Sequence, residues 1–561
     1  MIIVGCNMGI TRKGMKLNDG GLCVIDTSTK KIIAIAEERI SRKKYDGGFE
    51  QSLKKYLELT NKTMDDIDLF VVSSCCEKPL ENVTNLISGV SPDKIKVVPS
   101  HHLSHAYSAY YSSNFNEALI LVLDNEGNVL GDEASSNFYE NELEHMSYYI
   151  AKGNNVELLE RDDVPVGKIG VGDAYRYFTH YIGFPSYVYA GKTMGLAPYG
   201  RKETYDNVKV FELKDGHITC NIAADYFEPC KALKTFFKNQ YNIELPPERT
   251  PIGEITQEYA DLAYLIQKET EEILIEKINY LVSKTGIRNI CIAGGVGLNS
   301  VANGRILKEC NIDDLFIVPA AGDSGECLGN AYYGYYKILN NQERIPFETA
   351  YLGFEYSKEN LEESLLKLEN KSVKLKKYDI INDMHKYVSK KLADGFIIAR
   401  CSGRSEFGPR ALGNRSILMD TRKAENKDIL NARVKFRESF RPFAPIVLTE
   451  YLTEYFDIEH QSKYMLLVAN VKKPEIIPAV THVDNSSRLQ TLSYNDNPDL
   501  YDLINEYYKI TGVPVILNTS FNIAGQPIVE TYSDAIECFM STNIDCLILE
   551  NYFIEKIYEK E

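Results

Sequence analysis

Two short apolar runs, each leading to an aspartate beside a glycine turn, limit what this chain can fold into. In ALILVLDNEGN the run Ile120–Leu123 closes on Asp124, and in LFIVPAAGDSGE the run Leu315–Pro319 leads to Asp323. Uninterrupted apolar runs of this length mark strands buried on both faces of a parallel sheet, and such strands hand their last residues to a cleft. Just upstream of the first run, PSHHLSHAYSAYYSS (Pro99 to Ser113) reads as a helix with His101 and His105 four residues apart, so both imidazoles leave one face. Histidines at helical spacing more commonly cap a helix or sit satisfied in a core. Two imidazoles that meet two strand-end carboxylates suit a transition-metal site with open positions, and His101, His105, Asp124 and Asp323 are the candidate ligands.

The rest of the first 345 residues keeps to strands, turns and helices. Ile2–Cys6, Gly21–Thr27 and Lys31–Glu37 form a strand meander broken by the turn Asn18–Gly21 and by STKK, an opening typical of actin-like ATPases. EERISRKKYDGG then sets Arg39, Arg42, Lys43 and Lys44 behind the third strand. A solvated charge run is the default reading, with Lys44 as the lysine placed to reach a nucleotide phosphate. Phe49–Leu59 is an amphipathic helix and Ile67–Ser73 a buried strand, while the chain from Asp124 to about Val164 looks loose, polar and acidic. Gly172–Ile182 is helical and leads into AGKTMGLAPYG, where two glycines flank Lys192, a point charge for phosphate. The GxxxxGK[ST] spacing of a Walker loop is absent there.

A long helix, Gln257–Thr285, precedes the strand Asn289–Ala293 and the glycine turn of AGGVGLNSVANGRIL. Backbone N–H groups around Gly295, with Asn299 and Asn303 on one helix face, could meet a phosphate or a ribose, although a plain tight connection would look the same. Two such strand–turn–helix sets suit two lobes around a cleft.

Beyond the linker NNQERIPFET, Leu361–Leu368 and Asp383–Ala393 read as helices and Phe396–Cys401 as a strand. GRSEFGPRALGNRSIL and NARVKFRESFRPFAP then carry seven arginines, at 404, 410, 415, 422, 433, 437 and 441. They are interleaved with Gly, Pro and Phe, which suits planar forks held for bidentate phosphate recognition. THVDNSSRLQTL adds Arg488, and VPVILNTSFNIAGQPIV ends an apolar strand on Asn518, Ser520 and Asn522. With Lys435 and Arg437 these groups outline an ATP-using pocket. No Cys/His dyad and no GxSxG elbow is present, which argues against a covalent acyl-enzyme.

A net charge of −16 over 561 residues disfavours nucleic acid as the main partner and leaves room for a small polyanion in a local basic pocket. Twelve cysteines with one adjacent pair, Cys75–Cys76, and no CxxC signal reduced thiols of a cytoplasmic protein. No apolar run reaches eighteen residues, so no membrane partner is expected. A small-molecule acceptor is the expected partner, and a homodimer is the candidate assembly.

The strings HHLSHAYSAYYSS, GKTMGLAPYG, AGGVGLNSVANGRI, GRSEFGPRALGNRSIL, KFRESFRPFAP, THVDNSSRLQT and NTSFN follow one another in this sequence. By them the chain resembles, through nearly its whole length, the NodU/CmcH carbamoyltransferase family, which includes antibiotic-tailoring O-carbamoyltransferases. The resemblance implies an α/β protein of two parts. Residues 1–345 would be a two-lobed actin-like ATPase (ASKHA) domain that transfers a carbamoyl group at a metal site. Residues 350–561 would be a smaller YrdC-like α/β domain that forms carbamoyl adenylate and pyrophosphate from carbamoyl phosphate and ATP. It implies Fe(II) or another divalent metal on His101, His105, Asp124 and Asp323, and Mg2+ with the ATP. Lys435, Arg437, Arg441, Arg488, Asn518, Ser520 and Asn522 would hold carbamoyl phosphate and ATP, with Arg441 and Ser520 counted among the catalytic residues. Arg410 and Lys44 would contact nucleotide.

The chain departs from the family pattern where a His-Asp-Ala-Ser string is usual: here Asn18-Asp19-Gly20-Gly21 stands. Asparagine is no general base, which leaves acceptor activation to Asp19, to the metal or to water. PSYVYA before Gly191 and the DNEGN that begins at Asp124 also depart. Three other readings stay open: a nucleotide-binding regulator with a degenerate acceptor site, a tRNA threonylcarbamoyl-type enzyme, and a hydrogenase-maturation carbamoyl-handling enzyme.

Overall fold

The computed structural model describes residues 1–9, 18–73, 90–130, 142–225 and 227–557; the Cys75–Cys76 pair lies outside them. The chain forms two compact units. One holds residues 1–17 and 67–347, the other residues 18–66 and 348–561. Among the described residues no helix is long and apolar enough to cross a membrane.

The first unit is built on two sheets. Ile2–Asn7, Leu69–Ser73 and Ile95–Val97 run parallel, with Ile3 opposite Leu69 and Phe70 opposite Ile95. The second sheet has the order Asp314–Ile317, Asn289–Ala293, Glu117–Leu123, Leu143–Lys152, Asn155–Val164. Its first three strands are parallel and its last two antiparallel. The central strands are shut away from solvent along Ala118–Leu123 and Ile290–Ala293, as their unbroken apolar sequence requires.

The last two strands correct the expectation of a loose segment after Asp124. Leu143–Lys152 is buried on both faces, so it lacks the alternation that signals a half-exposed strand. Asn155–Val164 is an edge strand carrying charged residues, the usual dressing of a sheet edge, and that dressing hides it among loops.

Helix His101–Ser112 packs on strands Glu117–Leu123 and Asn289–Ala293 and against helix Glu326–Tyr332, which itself packs on Ile2–Asn7. The Ser100 hydroxyl caps it by accepting from the Leu103 N–H. Every one of its residues except Leu103 is buried, which explains its run of small residues and tyrosines; Tyr111 stacks on Tyr336 with ring centres 3.7 Å apart. The two helices nearly touch at Gly329, where a Cβ would lie 1.8 Å from the Ser104 carbonyl oxygen. Asn330 knits the layers: its amide donates to the Cys6 carbonyl and the Ser73 hydroxyl, and its oxygen accepts from Ser104.

The second unit carries a nine-stranded mixed sheet covered by apolar side chains on both faces. Helices Ile381–Ala393 and Pro498–Thr511 pack against each other over one face. Helices Lys358–Leu365 and Tyr532–Met540 pack over the other. In the middle, Arg415–Asp420 and Ala444–Leu448 flank Val515–Ser520, with Ser416 opposite Ser520 and Ala444 opposite Asn518. The hairpin Gly21–Asp26/Lys31–Ala36 belongs to this unit: the Ala34 N–H donates to the Leu352 carbonyl, and Arg404 donates to the carbonyls of Ile32, Leu352 and Gly353.

Candidate functional site

In the first unit, three elements bring four ligand atoms to one point. His101 and His105 leave the same face of their helix, Asp124 follows its strand, and Asp323 opens the turn before helix Glu326–Tyr332. One ligand atom from each residue lies within 4.8 Å of every other. His101 Nε2 is 3.1 Å from Asp124 Oδ2 and 3.9 Å from Asp323 Oδ1. His105 Nε2 is 3.4 Å and 3.6 Å from the same two atoms and is buried without a hydrogen-bond partner. The first is a hydrogen bond and the other three are too long for one; four donors aimed at one point in this way are what a shared central cation requires. The donor set fits a divalent transition metal.

Around this centre the supports are specific. The backbone N–H groups of Asn125 and Gly295 donate to Asp124 Oδ1, which turns Oδ2 toward the imidazoles. Glu326 Oε1 lies 2.7 Å from His101 Nδ1, on the far side of the ring from Nε2, which faces Asp124. Burial alone would push the His105 imidazole down, but Asp124 and Asp323 outweigh it and raise it to about 9. Burial would raise the Asp124 carboxyl, and the two histidines instead hold it well below the usual carboxylate range. Glu326 was not singled out in the sequence; a glutamate three residues beyond Asp323 in an otherwise apolar helix start was its only signal. Glu326→Gln is expected to weaken divalent-metal affinity by roughly 10- to 100-fold. Titration of the purified chain with metal against a competing chelator measures this, and an unchanged affinity would remove Glu326 from the site.

The second unit gathers cations. Arg410, Arg437, Arg441 and Arg488 form one group linked by like-charge repulsion, and Arg437 and Arg441 act in the same way on Lys435. The Nε atoms of Arg410, Arg437 and Arg488 are shut off from solvent with no hydrogen-bond partner. Burial, then Arg441, pushes Arg410 down to about 10 and Arg437 down to about 9. Burial, then the three other arginines, lowers Arg488 well below its ordinary value. The Lys435 ammonium donates to the backbone and side-chain oxygens of both Ser520 and Asn522. Glu438, 3.7 Å from Arg441, is the carboxylate that pairs with this group.

The other four arginines of the same stretch are tied elsewhere. Arg404 holds the hairpin, Arg415 donates to the carbonyls of Ser402, Asn414 and Glu530, Arg422 pairs with Asp420, and Arg433 pairs with Asp545. Spacing alone could not divide the seven.

The sequence matches two halves of one family. The carbamoyltransferase N-terminus model matches residues 82–332 and the carbamoyltransferase C-terminus model matches residues 389–556. The chain belongs to the carbamoyltransferase family. The nodulation protein NolNO of Sinorhizobium fredii is 33% identical, over 96% of this carbamoyltransferase and 79% of its own length. The 3'-hydroxymethylcephem-O-carbamoyltransferase of Streptomyces clavuligerus is 32% identical over 44% of each chain. Among solved structures, full-length HypF in the phosphate- and nucleotide-bound form is 11% identical with a TM-score of 0.36, covering 61% of this chain and 56% of that one.

In this carbamoyltransferase the remaining sequence candidates have the following surroundings. Asn18 donates to Asp19 Oδ2, and Asp19 adopts a left-handed backbone with φ 59°. Lys44 pairs with Glu38 at 3.1 Å. Lys192 lies over the rings of Tyr189 and Phe184, within helix Ala190–Leu196; a Cβ at Gly191 would meet open space, so that glycine answers no close approach. Asn299 caps helix Ser300–Glu309 and its amide donates to Gln267 of helix Gln257–Thr285, and the Asn303 amide donates to the Gly297 carbonyl of the turn. Asn518 donates to Ala411 and Gln490, leaving its buried carbonyl oxygen unpartnered. His145, also missed in the sequence, is buried beside Asp124 and pushed down to about 4 by that burial.

Proposed function

We propose that this carbamoyltransferase works in two half-reactions on an ATP-activated carbamoyl group. Carbamoyl phosphate gives its phosphate up to water, and a carbamate oxygen then attacks the α-phosphorus of ATP, releasing pyrophosphate and leaving carbamoyl adenylate. A hydroxyl, or an amine, of a small acceptor next attacks the carbamoyl carbon; the acceptor proton departs, the C–O bond to the adenylate breaks and AMP leaves. On the same reading residues 350–561 form a YrdC-like adenylate-forming domain and residues 1–345 an actin-like carbamoyl-transfer domain, and the acceptor belongs to natural-product biosynthesis.

The observation that carries this reading is the arginine cluster. Buried cations without counter-charge are costly to hold, and they are retained where an anion completes them. Three unpartnered Nε–H groups beside a lysine with only neutral acceptors fit a polyphosphate better than a monoanion. As pyrophosphate departs, Arg410, Arg437 and Arg488 would meet the charge it develops, while Lys435, fixed by Ser520 and Asn522, would face the α-phosphate. In the other unit, His101, His105, Asp124 and Asp323 would hold a divalent metal, Fe(II) on the family's precedent. Such an ion would supply Lewis-acid polarisation of a carbamoyl or phosphate oxygen. Glu326 stands against His101 Nδ1 and would orient the ring, and Gly295 fixes the direction of Asp124.

Ser520→Ala removes the hydroxyl that bonds both Lys435 and Asn522. Its expected effect is a roughly tenfold fall in carbamoyl-phosphate-dependent ATP–pyrophosphate exchange, with bound metal unchanged. Loss of metal in that variant would contradict the division of labour. Incubation with ATP, carbamoyl phosphate and panels of polyhydroxylated or amino compounds, read by mass spectrometry as the gain of one carbamoyl group, identifies the acceptor class. A regulator with a degenerate acceptor site would show neither exchange nor product.

A further inference from the structure

The charged stretch after the hairpin is built into the arginine cluster from behind. Helix Glu37–Ser41 belongs to the second unit by its contacts, although it lies more than 300 residues upstream of the cluster. Arg39 is buried, and its Nη2 donates to the carbonyls of Glu406 at 3.4 Å and Gly408 at 3.1 Å, two residues before Arg410. Arg42 caps the helix in a left-handed conformation, φ 61°, and its fork spans two more carbonyls: Nη1 to Ile528 at 2.7 Å and Nη2 to Pro527 at 3.2 Å. Its Nε sits 3.6 Å from Asp534, whose carboxylate completes the capping box of helix Tyr532–Met540. The segment from Phe521 to Val529 closes on itself through the Val529 N–H and Phe521 carbonyl, and the Asn522 amide donates to Gln526 within it. Asn522 in turn holds Lys435. Tyr45, left-handed at φ 59°, accepts the Asp19 N–H on its carbonyl and acts electrostatically on Arg410.

From this arrangement we infer that Arg39 and Arg42 are positioning residues of the activation half-reaction, holding the Glu406–Arg410 and Phe521–Val529 segments so that Arg410, Lys435, Ser520 and Asn522 converge on one polyphosphate. The inference rests on the adenylate-forming reading of the cluster. Neither arginine is part of a solvated charge run: Arg39 spends Nη2 and Arg42 both Nη groups on main-chain carbonyls, and the planar fork of Arg42 is a geometry that a lysine reproduces only in part. Exposed Lys43, between them and the lysine of the Lys44–Glu38 pair, has no such task.

The test is steady-state ATP–pyrophosphate exchange by the full-length chain with carbamoyl phosphate, comparing Arg42→Ala, Arg42→Lys and Lys43→Ala, each checked for bound metal and thermal midpoint. Expected is a roughly 10- to 100-fold loss of kcat/KM for exchange in Arg42→Ala, a smaller loss in Arg42→Lys, and no change in Lys43→Ala. Bound metal should match the unmodified chain in all three. Added guanidinium should restore part of the Arg42→Ala loss, a response that general destabilisation would not give. Exchange in Arg42→Lys and Arg42→Ala equal to that of the unmodified chain overturns the inference; should Arg42→Ala fail to fold, an unimpaired Arg42→Lys overturns it alone. Absence of exchange in the unmodified chain would instead strike the adenylate-forming reading itself.

Discussion

Arg488→Ala is expected to abolish activation while making the ligand-free chain more stable. The side chain sits among Arg410, Arg437 and Arg441 with its Nε buried and unpartnered. Carrying that charge without a counter-ion costs folding free energy, so removing it should raise stability by about 1–2 kcal/mol, seen as a higher thermal midpoint. The same charge is what a departing pyrophosphate would need, and its loss should lower exchange by on the order of 10²–10³-fold. The two effects have opposite sign, which makes the variant informative: a structural arginine would lose stability and activity together. Pyrophosphate added to the unmodified chain should mimic the stabilisation by binding only the folded form, and that gain should vanish in Arg488→Ala.

His101→Ala should divide the reaction at its other end. The imidazole is one of four converging donors and is anchored by Glu326, so its removal is expected to abolish tight metal binding and to cut carbamoyl transfer by at least about 10³-fold. Exchange in the second unit should stay within about twofold of the unmodified chain, since the two groups of residues belong to different compact units. Metal analysis and exchange on the same preparation measure both outcomes. A parallel loss of exchange would merge the two sites into one.

Much of this was legible before any coordinates. The spacing of His101 and His105 placed both rings on one helix face, and an apolar strand leading to Asp124 placed a carboxylate at a strand end; both follow from local periodicity. Glu326 was not legible, because its role depends on Gly329 letting two helices touch, a contact between residues 225 apart in the chain in the case of Ser104 and Gly329. The arginines show the same limit. Their company of Gly, Pro and Phe announced that they were not a solvated face, yet only long-range partners divide them: Arg404, Arg415, Arg422 and Arg433 are spent on carbonyls and carboxylates far along the chain, and Arg410, Arg437 and Arg441 are not. Asn299 stays ambiguous in sequence for a related reason: a helix cap, which it forms, and a ribose ligand use the same residue type after the same glycine turn. Arg39 and Arg42 looked like solvent-facing charge because nothing local reveals carbonyls contributed from residues 406–408 and 527–528.

On the proposed function the carbamoyl group is activated among the arginines of the second unit before any acceptor or transition metal takes part. The most direct measurement is incorporation of labelled pyrophosphate into ATP by chain stripped of transition metal and supplied with Mg2+, with and without carbamoyl phosphate and with no acceptor. The account predicts incorporation that requires carbamoyl phosphate and is unchanged when the transition metal is restored. Incorporation that fails until the metal or an acceptor is added would contradict it.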